Sequence, residues 1–179
     1  MASQGPNSPG TAVNTARGGA TAWASPSNAV SSNNSYATCA AIASYADYLD
    51  VSNFGFSIPA GATLNGYTVE IEMKASVALP TEMVANLRSA GADVGSSKLG
   101  NAPTTEAYVT FGGASDKWGT ALTVSNVNAS TFEVRLTSNF GIDTVTVDVD
   151  HIRVTVHYTL PGMLPSKISR VAVNRASYH

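Results

Sequence analysis

Two carboxylates, Glu70 and Glu72, stand two residues apart in YTVEIEM, and three more, Asp143, Asp148 and Asp150, gather in and beside DTVTVDVDH. Side chains of this type do two kinds of chemistry. A pair of carboxyls facing each other across a sugar, about 5–10 Å apart, hydrolyses glycosidic bonds, and a set of hard oxygen ligands holds Ca²⁺. Glu70 and Glu72 alternate with Tyr67, Val69 and Ile71, so both project from one face of one strand, and nothing in the sequence builds an opposing wall. Asp148 and Asp150 alternate with valines, the pattern of a solvated strand face. His151 and His157 are six residues apart, roughly 20 Å along an extended chain and too far to share one metal. Cys39 is the single cysteine, which excludes an internal disulfide and a multi-cysteine zinc site; within ATCAAI it reads as a small buried hydrophobe. Nucleotide-binding loops, nucleophile elbows and metalloprotease motifs are absent from the sequence. The expectation is a non-enzymatic protein with no cofactor and no metal.

The elements that would position these side chains are strands. YTVEIEMKA (67–75) alternates without error and puts Tyr67, Val69, Ile71, Met73 and Ala75 on one face. YATCAAI (36–42), YADYLDVSNFGFSI (45–58), EMVANLRSA (82–90), AYVTFG (107–112), ALTVSNV (121–127) and TFEVRLTS (131–138) are further extended segments, separated by Gly, Asn, Asp and Ser clusters. The longest, DTVTVDVDHIRVTVHYT (143–159), carries Val145, Val147 and Val149 on one parity but Ile152, Val154, Val156 and Tyr158 on the other. A strand changes its inward parity only at a bulge or corner, so one is expected near Asp150 and His151, where the chain would pass from one sheet to the other.

Only 12% of residues are charged against 44% hydrophobic, in a palette of Ala, Val, Ser, Thr, Asn and Gly that suits strands and tight turns. No apolar run approaches the roughly 20 residues of a membrane-spanning helix. The first twenty residues lack the hydrophobic stretch of a secretory signal, so synthesis in the cytoplasm is expected. Charge is unevenly placed. All twelve carboxylates fall between Asp47 and Thr159, with six of the ten Lys and Arg, while Arg17, Lys167, Arg170 and Arg175 leave both ends basic. The acidic body argues against nucleic acid. Residues 1–20 and 160–179, poor in apolar side chains, read as extended arms that order on neighbouring subunits through Arg17, Lys167, Arg170 and Arg175, with an apolar anchor at Ile168, Val171 and Val173. The domain between them spans 21–159.

TAWASPSNAVSSNNSYATC (21–39), NFGFSIPAGATLNGYTVEIEM (53–73) and TVTVDVDHIRVTVHYT (144–159), taken in order, resemble a β-sandwich module of tailed-bacteriophage structural proteins. The resemblance covers roughly residues 21–159, rests on turn and packing residues, and brings no catalytic residues with it. It implies an antiparallel β-sandwich of jelly-roll type in a virion: a capsid decoration or cement protein whose partners are other virion proteins and copies of itself. The same architecture serves carbohydrate-binding modules. The alternative expectation is therefore a fibre or tail accessory protein that binds a glycan, with Tyr108 and Trp118 as stacking platforms.

Overall fold

The structure is a computed structural model that describes residues 1–42, 44–78, 82–140 and 144–162. The expected strand of residues 67–75 is the middle of a longer one, β5 (Thr63–Ala75), in which Tyr67, Val69, Ile71, Met73 and Ala75 are buried and the intervening residues half-buried. It lies against β10 (Thr144–Thr159) in register from Thr63↔Thr159 to Ala75↔Val147. Around this pair stand β1 (Ala2–Asn7), β3 (Ala37–Ile42) and β8 (Ala107–Gly112). The second sheet runs β2 (Thr11–Thr15), β4 (Tyr48–Ser52), β9 (Phe132–Asn139), β6 (Glu82–Ser89), β7 (Ala92–Asn101). All ladders between these strands are antiparallel. With β1 and β2 set aside, the two orders are β3-β10-β5-β8 and β4-β9-β6-β7, the double Greek key of a jelly roll. The fold is the expected one.

Between the sheets lies one core. Phe54, Phe56 and Phe132 surround one another with ring centroids 5.9–6.0 Å apart, and Tyr67 stands 6.2 Å from Phe132. The bulge in β10 is where the parities require it, as a register shift between Val149 and His151 against β5. It lets Val145, Val147, Val149, Ile152, Val154 and Val156 all face the core. The chain does not change sheets there. Instead β10 changes one neighbour: β3 pairs with Thr144–Val149 and β1 with Val154–Tyr158, while β5 stays on the other side throughout.

Two further expectations are corrected. Residues 1–20 are no loose arm, because β1 adds to β10 and β2 to β4, one strand to each sheet. These strands contribute ladder hydrogen bonds rather than apolar faces, so their polar sequence gives no periodic signal. Gly5 lets β1 lie close against β10: a Cβ there would lie 2.5 Å from the Val154 carbonyl oxygen. ALTVSNV is no strand, since Val124–Asn128 forms a short helix, α1. Its Thr123 Oγ1 accepts the Asn126 N–H and Asn126 Oδ1 accepts the Thr123 N–H, a capping box that overrides the weak alternation. The polar β7, an edge strand exposed along most of its length, has no counterpart among the expected segments. Residues 163–179, and with them most of the expected C-terminal arm, lie outside the described residues. Among those described, no helix is long and apolar enough to cross a membrane.

Candidate functional site

The alternation that sends Leu49, Val51, Val134, Leu136, Met83, Ala85 and Leu87 into the core sends another set outward from the second sheet, and its register aligns that set in rows. One row is Asp50, Arg135, Asn86, and the next is Ser52, Glu133, Arg88, Asp93. In the other direction Thr137 stands opposite Val84, and Tyr45, Asn139 and Glu82 follow one another across β4's approach, β9 and β6. From these rows Tyr45, Glu82, Asn86, Asp93 and Arg135, together with Arg17 and Tyr48, line a groove of about 290 Å³, with Asp50, Arg88 and Glu133 outside its lining.

The charges beneath the groove hold each other. Arg135 donates through Nε and NH2 to both oxygens of Asp50, at 2.7 Å each, and its ring-facing side lies 3.9 Å from the Tyr48 centroid. That fork raises the guanidinium pKa further above its ordinary value. Arg88 donates to Asp93 (2.8 Å), to Glu133 (2.5 Å) and to the Gly91 carbonyl, and approaches Asp50 at 3.5 Å. Asp50, only 8% exposed in its side chain, is thus met by two arginines. Burying so many charges is tolerable because they are paired and hydrogen-bonded.

Arg17 enters from the N-terminal segment. Its backbone N–H donates to Asp47 Oδ1 at 2.9 Å, and Asn14 Nδ2 donates to Asp47 Oδ2 at 2.9 Å. Trp23 closes the knot, its indole donating to the Asp47 carbonyl and its backbone N–H to Asn14 Oδ1. The guanidinium lies 4.3 Å from the Tyr45 centroid and 5.5 Å from that of Tyr48, and donates to Thr137 Oγ1 at 3.2 Å. Tyr45 keeps 49% of its surface exposed. The groove therefore joins an open aromatic ring, planar hydrogen-bonding side chains and a rigid ion-paired floor, a surface that can bind a polar ligand with apolar faces.

The outer face of the first sheet carries a different network. Glu70 accepts both arms of the Arg153 fork, at 2.9 and 3.1 Å. Oxygens of Glu72, Glu106 and Asp150 lie within 4.8 Å of one another, a set a hard cation would suit. Two of these carboxylates already have donors: the Asn33 and Asn34 N–H groups on Asp150, and Lys74 Nζ at 3.3 Å from Glu106. Asp150 is thus buried, contrary to the expected solvated face, because the bulge turns it under the loop of residues 31–35. Asp148 accepts from Thr38 Oγ1 at 2.7 Å, and Asp143 lies outside the described residues. His151 bridges Tyr108 OH and Ser8 Oγ, both at 2.9 Å, and burial pulls its pKa down. His157 sits 3.0 Å from Thr68 Oγ1, its pKa also lowered by burial. Cys39 is buried as expected, and desolvation pushes its thiol up to about 12.

Of the residues singled out from the sequence, Arg17 stands in the groove, packed on the tyrosines rather than extended toward a neighbour. Trp118 cannot be a stacking platform: it is fully buried and its indole donates to the Tyr67 carbonyl at 3.0 Å. Tyr108 stands on the other sheet, its ring covered by Arg153 at 3.9 Å. Lys167, Ile168, Arg170, Val171, Val173 and Arg175 lie outside the described residues. Sequence reasoning passed over Tyr45, Tyr48, Glu82 and Arg135. The outward parity of Arg135 was readable in TFEVRLTS, but the row that brings it to Asp50 and Tyr48 was not.

No protein-family model matches the sequence, and no curated protein matches it either. Among solved structures, similar ones include a CBM4 carbohydrate-binding module at 15% identity and TM-score 0.43, covering 69% of this chain and 85% of that one. Another is a CBM61 module in complex with β-1,4-galactotriose, at 9% identity and TM-score 0.43, covering 83% and 90%. A third is the N-terminal cellulose-binding domain of Cellulomonas fimi β-1,4-glucanase C, at 15% identity and TM-score 0.38, covering 70% and 80%. The jelly-roll assignment stands on the strand order itself.

Proposed function

We propose that the chain is a carbohydrate-binding module that holds a glycan, without chemistry, on the outer face of the sheet containing β4, β9 and β6. The observation that carries this reading is the groove in which the half-exposed Tyr45 ring adjoins Tyr48, Arg17 and Arg135. A sugar ring offers apolar C–H faces to an aromatic side chain and hydroxyls around its rim to planar donors and acceptors. Binding rather than hydrolysis is favoured because the carboxylates beneath the groove are committed to arginines: Asp50 to Arg135, Glu133 and Asp93 to Arg88. The coat-association expectation placed its contacts at Arg17, which packs into this groove, and at residues 167–175, which lie outside the described residues.

Affinity electrophoresis through gels containing soluble β-glucan, β-1,4-galactan or polygalacturonate tests the reading. Retardation by at least one polymer is expected, with Tyr45→Ala weakening it about tenfold or more at unchanged melting temperature, since half of the ring lies in solvent. Retardation by none, or retardation indifferent to Tyr45→Ala, overturns it.

A further inference from the structure

We infer that Arg17 and Glu82 together read adjacent hydroxyls of an uncharged sugar, making the groove selective for neutral glycans with free vicinal hydroxyls; this rests on the glycan-binding reading above. Four formal charges line the groove: Arg17, Glu82, Asp93 and Arg135. Two are spent. Arg135 is locked on Asp50 by two 2.7 Å hydrogen bonds, and Asp93 accepts from Arg88 at 2.8 Å. Arg17 and Glu82 have no ion-pair partner among the described residues.

Their unused hydrogen-bonding capacity is complementary. A guanidinium has five N–H donors and no acceptor, and the Arg17 side chain spends one of them, on Thr137 Oγ1. The Glu82 carboxylate is an acceptor with no donor bound to it in the described structure. The two come from different sides of the groove. Arg17 reaches over Tyr45 and Tyr48 toward β9, while Glu82 stands on β6, in the row of Asn139 and Tyr45. A hydroxyl donates once and accepts twice, so two neighbouring hydroxyls can take an Arg17 N–H and give a proton to Glu82 at the same time.

The charge balance selects the ligand class. A uronate or sulfate that met Arg17 would also enter the field of Glu82, which nothing compensates, and an amino sugar that met Glu82 would meet Arg17 in the same way. An uncharged diol uses both groups and leaves neither charge desolvated alone. Arg17 is well placed for this because Asp47 fixes its backbone and Thr137 its side chain, while Thr137 Oγ1 is itself held by donating to the Ala46 carbonyl at 2.8 Å.

The test uses calorimetric titration of the full chain with the neutral polymer that retards it in gels, the same polymer O-methylated, and polygalacturonate. Arg17→Lys and Glu82→Gln are each expected to lose about tenfold or more in affinity for the neutral polymer, the usual effect of losing a charge-assisted hydrogen bond. O-methylation is expected to abolish binding, and wild-type affinity to hold from low to molar salt, as a neutral ligand requires. Melting temperatures of both variants separate lost recognition from lost folding. Tighter binding of polygalacturonate, or neutral binding that survives both substitutions while Tyr45→Ala removes it, overturns the inference and leaves the groove standing. Failure of every polymer to bind overturns both.

Discussion

At the level of single residues, His151, which lies too far along the strand from His157 to share a metal with it, is a structural joint. It is 7% exposed and ties Ser8, just beyond β1, to Tyr108 on β8. Desolvation is the largest cause of its lowered pKa, with Arg153 acting in the same direction and Glu72, Asp150 and Glu70 opposing. A histidine whose folded pKa lies below the ordinary 6.5 stays neutral in the fold while the unfolded chain takes up a proton. Stability from this source is therefore complete above pH 6.5 and is lost as the pH falls through the unfolded value toward the folded one. Thermal melts from about pH 7.5 down to about pH 5.5 should show a falling midpoint, and His151→Gln should flatten that slope. His157 adds to the slope in the same direction through its own desolvation, so the flattening is partial. An equal slope in the variant would show that His151 does not carry the effect.

At the level of elements, the pairing of β5 with β10 is the spine of the molecule, and its two faces make opposite predictions. Ile71 and Val154 are fully buried, so Ile71→Asp and Val154→Asp each place an uncompensated carboxylate in the core and should abolish cooperative unfolding. Glu70 stands outward, which from parity alone makes any polar replacement harmless. Its bidentate pair with Arg153 changes that outlook. Glu70→Lys sets two cations opposite each other across Glu70↔Arg153 and should cost about 1 kcal/mol while leaving the fold intact, given that both side chains are partly exposed. Urea unfolding of the three variants distinguishes these outcomes.

For the whole molecule, the decisive difference lies at the N-terminus. A loose arm would be trimmed by protease from the isolated chain without effect on the remainder. With β1 in one sheet and β2 in the other, removing residues 1–16 strips a ladder from both, uncovers one edge of β10 and frees Asp47 from Asn14. The deletion should lower stability by more than about 2 kcal/mol, from many backbone hydrogen bonds of about 1 kcal/mol each. In the intact protein, limited proteolysis should leave residues 1–15 attached. Ready trimming with no change in melting temperature would restore the arm.

Much of this architecture was already written in local pattern. Alternation over 67–75 placed the inward face of β5, and the parity change in 143–159 required the bulge that stands between Val149 and His151, because a pleated strand has a fixed period of two. That all-β palette pointed to the sandwich as well. Elements stabilised by something other than their own side chains were hidden. β1 and β2 are held by ladder hydrogen bonds to neighbours distant in sequence, β7 by its hairpin ladder with β6, and α1 by a two-residue cap. The groove lay beyond local reach for the same reason. Arg17, Tyr45, Glu82 and Arg135 are scattered over more than a hundred positions and meet only through cross-strand register, while Trp118, an eligible platform by type, was drawn into the core. Residue type and period set which way a side chain points; long-range strand pairing decides what stands beside it.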